Sequence, residues 1–523
     1  MTDQTQPTFN LLDEPWIPVR FPDGEVRDVS LTQALVEANR ISSLAETSPP
    51  NLIALYRVLL ALLHRALTTQ HGPWKDADRA RWYREGVPEA PIRAYLDQWR
   101  ERFWLFHQEA PFMQVKALTE APETREKLKP WTQVCLAGGS GNTPVVFDHA
   151  MDETPSSISA ALACRHLLGF LQFTPGGLVK TIRDSDKAGP LSNTAAVMSL
   201  GDHLDESLLL NLHPYSVRVA DDLPAWEQLQ PGIAALRAAP RLATGPNDRY
   251  TRISRAVLLV PESNPRFVRH VRFAAGLALE EDVKSPDPMA CYRIAKDGKA
   301  VRMSFYEGRA VWRELPALVP DPSGKFNQPA AVLAWATNLR NRTGQFDAPV
   351  PVLVAGLASD QAKLLRWRVE RVDLPLPLLA DPDAAAEVRA RIREGEDLYF
   401  RLRTLCAEMI ASAMPDPDHK DTRARARTVL DNGPTASAFF SSVERALPEL
   451  MQRIAAGDVD AAYGHWASAL KRATQDAWDA TRGAVGDSPA ALRAQARAIP
   501  KIQRLLRSLD QPETETTREE VNS

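Results

Sequence analysis

Val350-Pro351-Val352-Leu353-Val354 is an apolar run that predicts a buried strand, and a second run, Leu364-Leu365-Arg366-Trp367-Arg368-Val369, follows it. The connection between them, residues 355–362, consists mainly of small residues and carries one long polar side chain, Gln361, beside Asp360. This pattern predicts a hairpin whose tip presents an amide, with both a hydrogen-bond donor and an acceptor. Such a glutamine is able to wedge a base step or read a base edge. The alternative is an ordinary solvent-facing turn.

Two other hairpins and a long helix are predicted upstream of this stretch. Pro22-Asp23-Gly24 is a turn sequence between two short strand patterns, and Ser30 is placed to cap the helix that follows. Apolar residues recur at helical spacing in segment 52–63, which predicts a long buried helix. The Asp297-Gly298 turn predicts the other hairpin, and the Gly-, Pro-, Ser- and Thr-rich stretch 110–190 predicts loops. Residues 1–379 are therefore predicted to form a large mixed α/β domain.

The character of the sequence changes after Leu379, where strand signals disappear and alanine-rich helical periodicity begins. Apolar stripes in segments 398–409 and 463–477 predict two helices. A third is predicted after Gly433-Pro434, and a fourth after the N-cap Ser488. Four helices with short connections predict a C-terminal four-helix bundle over residues 380–510, followed by a disordered acidic tail, 511–523. The predicted fold class is α+β.

Length and composition limit the class of protein. A chain of 523 residues is expected to form two or more domains, and 44% apolar residues exclude bulk disorder. The formal charge of -3 means that any nucleic-acid signal must be local. The four cysteines stand far apart, which predicts buried reduced thiols rather than disulfides or a zinc knuckle. No signal peptide is evident, and the longest apolar segment is interrupted by Arg57, so we expect a soluble, cytoplasmic protein.

Motifs for catalysis are weak. The stretch Gly138-Gly139-Ser140-Gly141-Asn142 resembles the Gly-x-Ser-x-Gly elbow of serine hydrolases but has Asn142 in place of the last glycine. A hydrolase that uses Ser140 remains an alternative. The ten histidines form no metal-binding motif, so neither a metal nor another cofactor is predicted.

Basic residues recur at helical spacing near the C-terminus, and Pro500 interrupts the run. Such a row suits the neutralisation of nucleic-acid phosphates, although a solvated helix face is the alternative. Its members are Arg493, Arg497, Lys501, Arg504 and Arg507. A second basic cluster consists of Lys420, Arg423, Arg425 and Arg427.

Four stretches, taken in order, resemble one family: the large subunit, CasA, of the type I-E CRISPR surveillance complex called Cascade. They are Asn10-Leu11-Leu12-Asp13-Glu14-Pro15-Trp16-Ile17-Pro18-Val19, Pro111-Phe112-Met113-Gln114, Leu136-Ala137-Gly138-Gly139-Ser140-Gly141, and the Gln361 hairpin. The resemblance implies a subunit that recognises the protospacer-adjacent motif in double-stranded DNA, helps to open the duplex and recruits a helicase-nuclease. It also implies that the other Cascade subunits and the guide RNA are partners, and that the subunit is not an enzyme.

The family's DNA contacts carry over to particular positions. Gln361 matches the family's glutamine wedge, with Asp360 and Ala362 beside it. The family often has asparagine where this chain has Asp360, and a carboxylate near phosphates is unfavourable. Gly176 and Gly177 match a glycine loop that approaches the minor groove, where a missing Cβ allows close approach.

A lysine finger of the family also enters the minor groove, and two positions are candidates for it. Arg269 matches by register, whereas Lys284 matches by residue type. Phe147 matches an aromatic at the base of a loop, residues 148–161, which in the family contacts the guide RNA end and the motif region; a core aromatic is the alternative. The rival to a DNA-binding role is a structural scaffold that binds only protein partners.

Overall fold

The computed structural model describes residues 6–136, 154–177, 179–216, 220–280, 286–360 and 363–509, with the backbone alone for 358–360 and 363–366. The chain divides into two compact units, Met1–Leu379 and Ala380–Ser523. The first is a mixture of short sheets and helices and the second is helical, which confirms the predicted α+β fold class.

Short sheets are built from the strands of the first unit. In its described part these strands are β1 (Thr8–Asn10), β2 (Ile17–Arg20), β3 (Val26–Val29), β4 (Ser43–Leu44), β5 (Trp104–Phe106), β6 (Lys129–Pro130), β7 (Ile158–Ser159), β8 (Ala196–Ser199), β9 (Arg255–Pro261), β10 (Phe267–Ala275), β11 (Tyr292–Ile294), β12 (Ala300–Arg302), β13 (Asn327–Gln328), β14 (Val350–Asp360) and β15 (Lys363–Leu374). The sheet orders are β1-β5, β3-β2-β4, β6-β10-β7 with β9 beside β10, β12-β11-β13, and β15-β14-β8.

Helices surround these sheets. In the described part of the first unit they are α1 (Leu31–Val36), α2 (Pro49–His71), α3 (Asp76–Glu85), α4 (Glu89–Gln98), α5 (Ala160–Phe173), α6 (Leu204–Asn211), α7 (Ile233–Arg237), α8 (Pro246–Tyr250), α9 (Leu315–Leu318), α10 (Ala331–Thr343) and α11 (Leu376–Ala380). Ser30 caps α1 with a reciprocal capping box, as its position predicts.

The long helix α2 lies at the centre of the first unit. It is long and apolar enough to cross a membrane, but 94% of its apolar window is buried inside the protein, as in a core helix. Arg57 is fully buried in the middle of it, where it forms an ion pair with the buried Asp287 and donates to Gln172 Oε1 at 2.7 Å. The charge is therefore matched within the core.

All three predicted hairpins are present, and one differs in length. The hairpins β2–β3 and β11–β12 pair around Gly24 and Gly298, which both have positive φ. In the third, β14 continues to Asp360, so the prediction of a loop over residues 355–362 was wrong. The small residues suit a crowded strand instead, because a Cβ on Gly356 would lie 2.5 Å from the Thr194 carbonyl oxygen.

The stretch 110–190 is also more ordered than its composition predicts. It contains α5, whose apolar residues pack on α2, because the cluster of turn residues on either side hides a continuous apolar segment. Gln114 is fully buried and connects two strands: its amide nitrogen donates to Leu105 O at 2.7 Å and its oxygen accepts from Leu259 N at 2.8 Å. This gives the Pro111–Gln114 motif a structural role.

The second unit contains the four predicted helices with two differences. Its described helices are α12 (Pro382–Ser412), α13 (Lys420–Asp431), α14 (Thr435–Glu444), α15 (Leu447–Ala455), α16 (Val459–Val485) and α17 (Pro489–Ser508). The helix predicted after Gly433-Pro434 is present as α14 and α15, and α13 is additional. Helix α17 continues through Pro500 as one segment. The predicted acidic tail, 511–523, lies outside the described residues.

The four cysteines, Cys135, Cys164, Cys291 and Cys406, are all buried and free of disulfides, as predicted. Burial raises the pKa of the Cys291 thiol to about 12 and that of Cys406 to about 11. These two thiols are therefore protonated and unreactive at neutral pH.

Candidate nucleic-acid interface

The tip of the long hairpin is a two-residue connection. Asp360 pairs with Lys363 at the end of the ladder, so only Gln361 and Ala362 separate the strands. Both lie outside the described residues, and for Asp360 the structure describes the backbone alone. The assignment of these three residues to a wedge remains a prediction.

Trp367 anchors this hairpin to two other candidate segments. Its indole nitrogen donates to Leu136 O at 2.7 Å, and its ring meets Phe173 edge to face, with centroids 5.5 Å apart. Phe173 ends α5 immediately before the Gly176–Gly177 turn. Leu136 is the last described residue before the segment that carries Phe147 and Ser140, which both lie outside the described residues. One side chain therefore brings together three stretches that are far apart in the sequence.

The start of that segment is held by a buried histidine. His166 on α5 stacks on Trp131, with ring centroids 5.7 Å apart, and its Nε2 lies 3.6 Å from the Cys135 sulfur. The Asn51 amide contacts the other ring nitrogen at 3.3 Å. Burial lowers the pKa of His166 to about 4, so the ring is neutral at physiological pH.

The turn that contains Gly176 and Gly177 is exposed at its tip and fixed at its base. Gly177 has φ +83°, which favours glycine, and a Cβ on Gly176 would lie 2.9 Å from Ala188 N. The base is closed by the hydrogen bond from Gly189 N to Thr174 O at 2.8 Å. An exposed glycine tip of this kind allows a backbone to approach a narrow groove.

A buried arginine holds the same turn. Arg255 begins β9, and its guanidinium donates to the Pro175 carbonyl and, at 2.6 Å, to the Lys187 carbonyl. It also forms an ion pair with Asp186 at 2.5 Å, in which both side chains are at most 1% exposed. Because a buried charge without a partner is costly, these contacts specify one position for the turn.

Of the two candidates for the finger, Arg269 is engaged within the protein. It lies at a bulge of β10, donates to Glu262 Oε1 at 2.7 Å and to the Pro155 carbonyl at 2.7 Å, and contacts Ser157 Oγ at 2.8 Å. The hydrogen bond from Arg269 lowers the pKa of Glu262. Lys284 lies outside the described residues. The contacts of Arg269 connect β10 to the segment before α5, a role that requires no ligand.

The chain is anchored just after the segment that carries Lys284. Asp287 is fully buried and paired with Arg57. Burial alone would raise the pKa of Asp287, but the Arg57 and Arg249 guanidinium groups outweigh it, so the pKa lies below its ordinary value. Before the loop, Arg252 donates to Ala278 O at 3.2 Å. Buried arginines thus hold the chain on both sides of residues 281–285.

The five basic residues of the predicted stripe are exposed on α17. Buried residues such as Ala494, Ala498 and Ile502 occupy the opposite face of the helix. Lys501 pairs with Glu408 of α12 at 2.8 Å. Helix α17 contains no acidic residue, so the stripe carries one sign of charge. In the second cluster, Arg423 pairs with Asp418 at 3.0 Å.

Sequence reasoning did not identify Trp367, Arg255 or Asp186 as residues that shape the site. The partners of Arg255 are distant in the sequence; the Pro175 carbonyl is 80 residues away. The sequence signals available were weak: a tryptophan in an arginine-rich strand and an arginine at the start of an apolar one. Within the described ranges, no group of three or more His, Cys, Asp or Glu side chains could hold a metal ion.

Residues 10–477 match the family model of CRISPR-associated protein Cse1. CasA/Cse1 of Thermus thermophilus is 34% identical over 511 residues, covering 96% of this chain and 98% of the relative. A crystal structure of Thermus thermophilus CasA is similar with a TM-score of 0.82 and 31% identity, over 96% of this chain and 100% of that chain. A chain of a CRISPR RNA-guided surveillance complex has the same fold, with a TM-score of 0.71 and 21% identity, over 95% of this chain and 100% of that one.

Proposed function

The chain belongs to the CRISPR-associated Cse1 family, as its sequence motifs predict, and on this premise we propose that it is the large subunit of an RNA-guided surveillance complex. In this role it recognises a protospacer-adjacent motif in double-stranded DNA, promotes opening of the duplex and recruits a helicase-nuclease. Its partners are the other subunits, the guide RNA and the target DNA. We place it in the cytoplasm.

The observation that carries this proposal is that three segments of the chain meet at Trp367. Its contacts with Leu136 and Phe173 bring the hairpin that bears Gln361 close to the glycine turn and to the start of the Phe147 segment. A wedge works only beside contacts that hold the protein on its motif, because unstacking a base step costs a few kcal/mol. The arrangement supplies a hairpin anchored at Trp367 and an exposed backbone turn on one scaffold.

Two kinds of contact with DNA contribute to this mechanism: weak contacts with phosphates and specific contacts with the motif. The cations of α17 neutralise phosphates, which provides affinity that is independent of sequence and sensitive to salt. The backbone at Gly176 and Gly177 approaches the minor groove, and Gln361 enters the adjoining base step. Guide-RNA pairing then reads the remaining sequence.

The role requires no catalytic residue in this chain. The relatives are described as CasA/Cse1 proteins, and the fold is shared with a chain of a surveillance complex. We therefore propose that the subunit is non-catalytic. The hydrolase alternative predicts ester or nucleotide hydrolysis by the purified protein that is lost in Ser140→Ala.

The test is duplex opening by the assembled complex on a target with a fluorescent base next to the motif. Gln361→Ala should leave assembly intact and weaken opening, because the side chain that separates the base step is lost. A glutamine outside the site, exposed Gln452→Ala on α15, provides the matched control. Unchanged opening by Gln361→Ala would remove the wedge from the mechanism, and loss of assembly without loss of DNA affinity would favour the scaffold alternative.

A further inference from the structure

Helix α17 carries cations that no acid of the described residues neutralises. Lys501 pairs with Glu408 of α12 at 2.8 Å. The other four members of the stripe are exposed, and in the part of the chain that the structure describes none of them forms an ion pair. They are Arg493, Arg497, Arg504 and Arg507. Because the helix has no acid of its own, this positive charge is left for a partner outside the described residues.

The sequence that follows this helix has the opposite charge. Helix α17 ends at Ser508, and residues 510–523 contain five acids and one basic residue, Arg518. The acids are Asp510, Glu513, Glu515, Glu519 and Glu520. Acidic segments of this kind commonly act as interaction tails. A row of five cations is therefore joined directly to a segment with an excess of negative charge.

This segment is long enough to return along the whole basic face. Arg493 and Arg507 are 14 residues apart, which corresponds to about 21 Å along the helix axis. Residues 510–523 can span up to about 46 Å, more than twice that distance. Pro512 has no backbone N–H and disfavours a helical conformation in the residue before it, which opposes continuation of α17. Chain geometry therefore allows the acids to reach every cation of the stripe.

We propose that residues 510–523 bind the basic face of α17 in the same chain and compete there with the phosphates of DNA. The inference rests on the proposed function, because it takes those phosphates as the competing ligand. It goes beyond that function by assigning to the chain a competitor of its own. Such a contact depends on charge and length and requires no folded structure in the segment.

Covalent attachment makes weak binding of this segment effective. Each exposed ion pair contributes little, but a short linker gives an effective concentration in the millimolar range. A second copy of the chain offers the same acids only at the concentration of the protein. The apparent affinity for DNA falls in proportion to the fraction of molecules whose basic face is free. Binding that depends on phosphates alone is therefore reduced most, and a target that also engages the first unit displaces the segment.

The first test measures duplex binding by the full chain after its five tail acids are changed to amides. The changes are Asp510→Asn, Glu513→Gln, Glu515→Gln, Glu519→Gln and Glu520→Gln. At about 50 mM salt this tail variant should bind duplex DNA roughly 3- to 10-fold more tightly than the parent. The matched control removes five exposed acids of the first unit in the same way and should bind like the parent. They are Glu85, Asp97, Glu109, Glu120 and Asp347.

Two further measurements locate the contact. When Arg493, Arg497 and Arg504 are changed to glutamine, neutralising the tail acids should give no additional gain, because the two groups act on each other. Carbodiimide cross-linking supplies a readout without DNA. Lys501 is the one lysine of α17, and it should couple to carboxylates of residues 513–520 within one chain, less so as salt screens the charges.

Three results would overturn the proposal. The tail variant binds duplex DNA like the parent, or it gains equally when the stripe is already neutral, which indicates general repulsion of DNA, or Lys501 forms no cross-link to the segment. Cross-links found only between two chains would assign the face to the tail of a second copy. In the assembled complex, cross-links from Lys501 to another subunit in place of the segment would assign it to that subunit. Because cross-linking uses no DNA, failure of the contact is distinguishable from failure of DNA binding.

Discussion

The two units use charged residues in opposite ways. In the first unit, ion pairs such as Arg57–Asp287 and Arg255–Asp186 are almost completely buried and hold segments that are distant in the sequence. In the second unit, the pairs Lys501–Glu408 and Arg403–Asp431 are solvent-exposed and lie on the outer surfaces of the helices. The buried pairs position the backbone of the first unit, whereas these exposed pairs leave their charges accessible to a ligand.

The largest expected effect concerns the buried pair at the glycine turn. Arg255→Ala leaves the Asp186 carboxylate buried without a partner, so we expect a loss of about 3–5 kcal/mol of stability in the first unit. Denaturant-dependent hydrogen exchange, followed in peptides from residues 160–190, measures it. Lys501→Ala is the matched change at an exposed pair and should cost less than about 1 kcal/mol. Equal losses for the two variants would contradict the difference between the units.

The second expected effect is a dependence of stability on pH in the first unit. His64 and His213 are buried and stacked, with ring centroids 3.6 Å apart. Burial lowers the pKa of His213 to about 3 and lowers that of His64 well below 6.5. Only the unfolded state takes up protons as the pH falls below about 6.5, so stability is complete above that pH and is lost progressively below it. We expect a loss of about 2 kcal/mol per histidine between pH 7 and pH 5.

This pH effect is measured by denaturant unfolding at a series of pH values. His213→Phe should reduce the slope, because it removes one of the buried histidines that take up a proton only in the unfolded state. His419→Phe, at an exposed histidine of the second unit, is the matched control for the substitution itself. An unchanged slope in His213→Phe would show that other groups control the acid transition.

The smallest effect on stability, but a clear effect on binding, is expected at the α17 stripe. Neutralising Arg497, Lys501 and Arg504 to glutamine should change stability little, because all three are exposed. Each lost phosphate contact should reduce the slope of log affinity against log salt by about 1 for duplex DNA. Titrations at several salt concentrations measure this slope. If the variant keeps the parent slope, the stripe is a solvated helix face.

Local sequence patterns predicted three hairpins, the helices α1 and α2 and the helical second unit, but few of the contacts between them. The hairpins at Gly24 and Gly298, the cap at Ser30 and the long helix α2 all follow from residues close together in the chain. The loop predicted over 355–362 was wrong because the small residues are required by a neighbouring segment at Thr194, which no local pattern reveals. Helix α5 was missed for a different reason, because clusters of turn residues lie on either side of its apolar segment.

In the candidate site, too, the sequence predicted individual residues but not the contacts between them. The sequence alone identified the glycines, the hairpin tip and the α17 cations by residue type and position. The resemblance to the family then suggested a role in DNA binding for the glycines and the hairpin tip. Arg269 could not be distinguished from Lys284 by sequence, because register and residue type point to different positions. The structure shows that Arg269 already has three partners within the protein, whereas Lys284 lies outside the described residues.

The amino-acid sequence by itself determined three hairpins, the long helix α2, the helical second unit, the membership of the family and the row of cations on α17. Each of these depends on neighbouring residues or on short motifs. Only the tertiary structure decided which charges are buried, that Trp367 joins the hairpin to Leu136 and Phe173, and that Lys501 pairs with Glu408 of α12. The physical reason is that periodicity is a local property of the chain. Ion pairing and burial depend on which distant segments meet after folding.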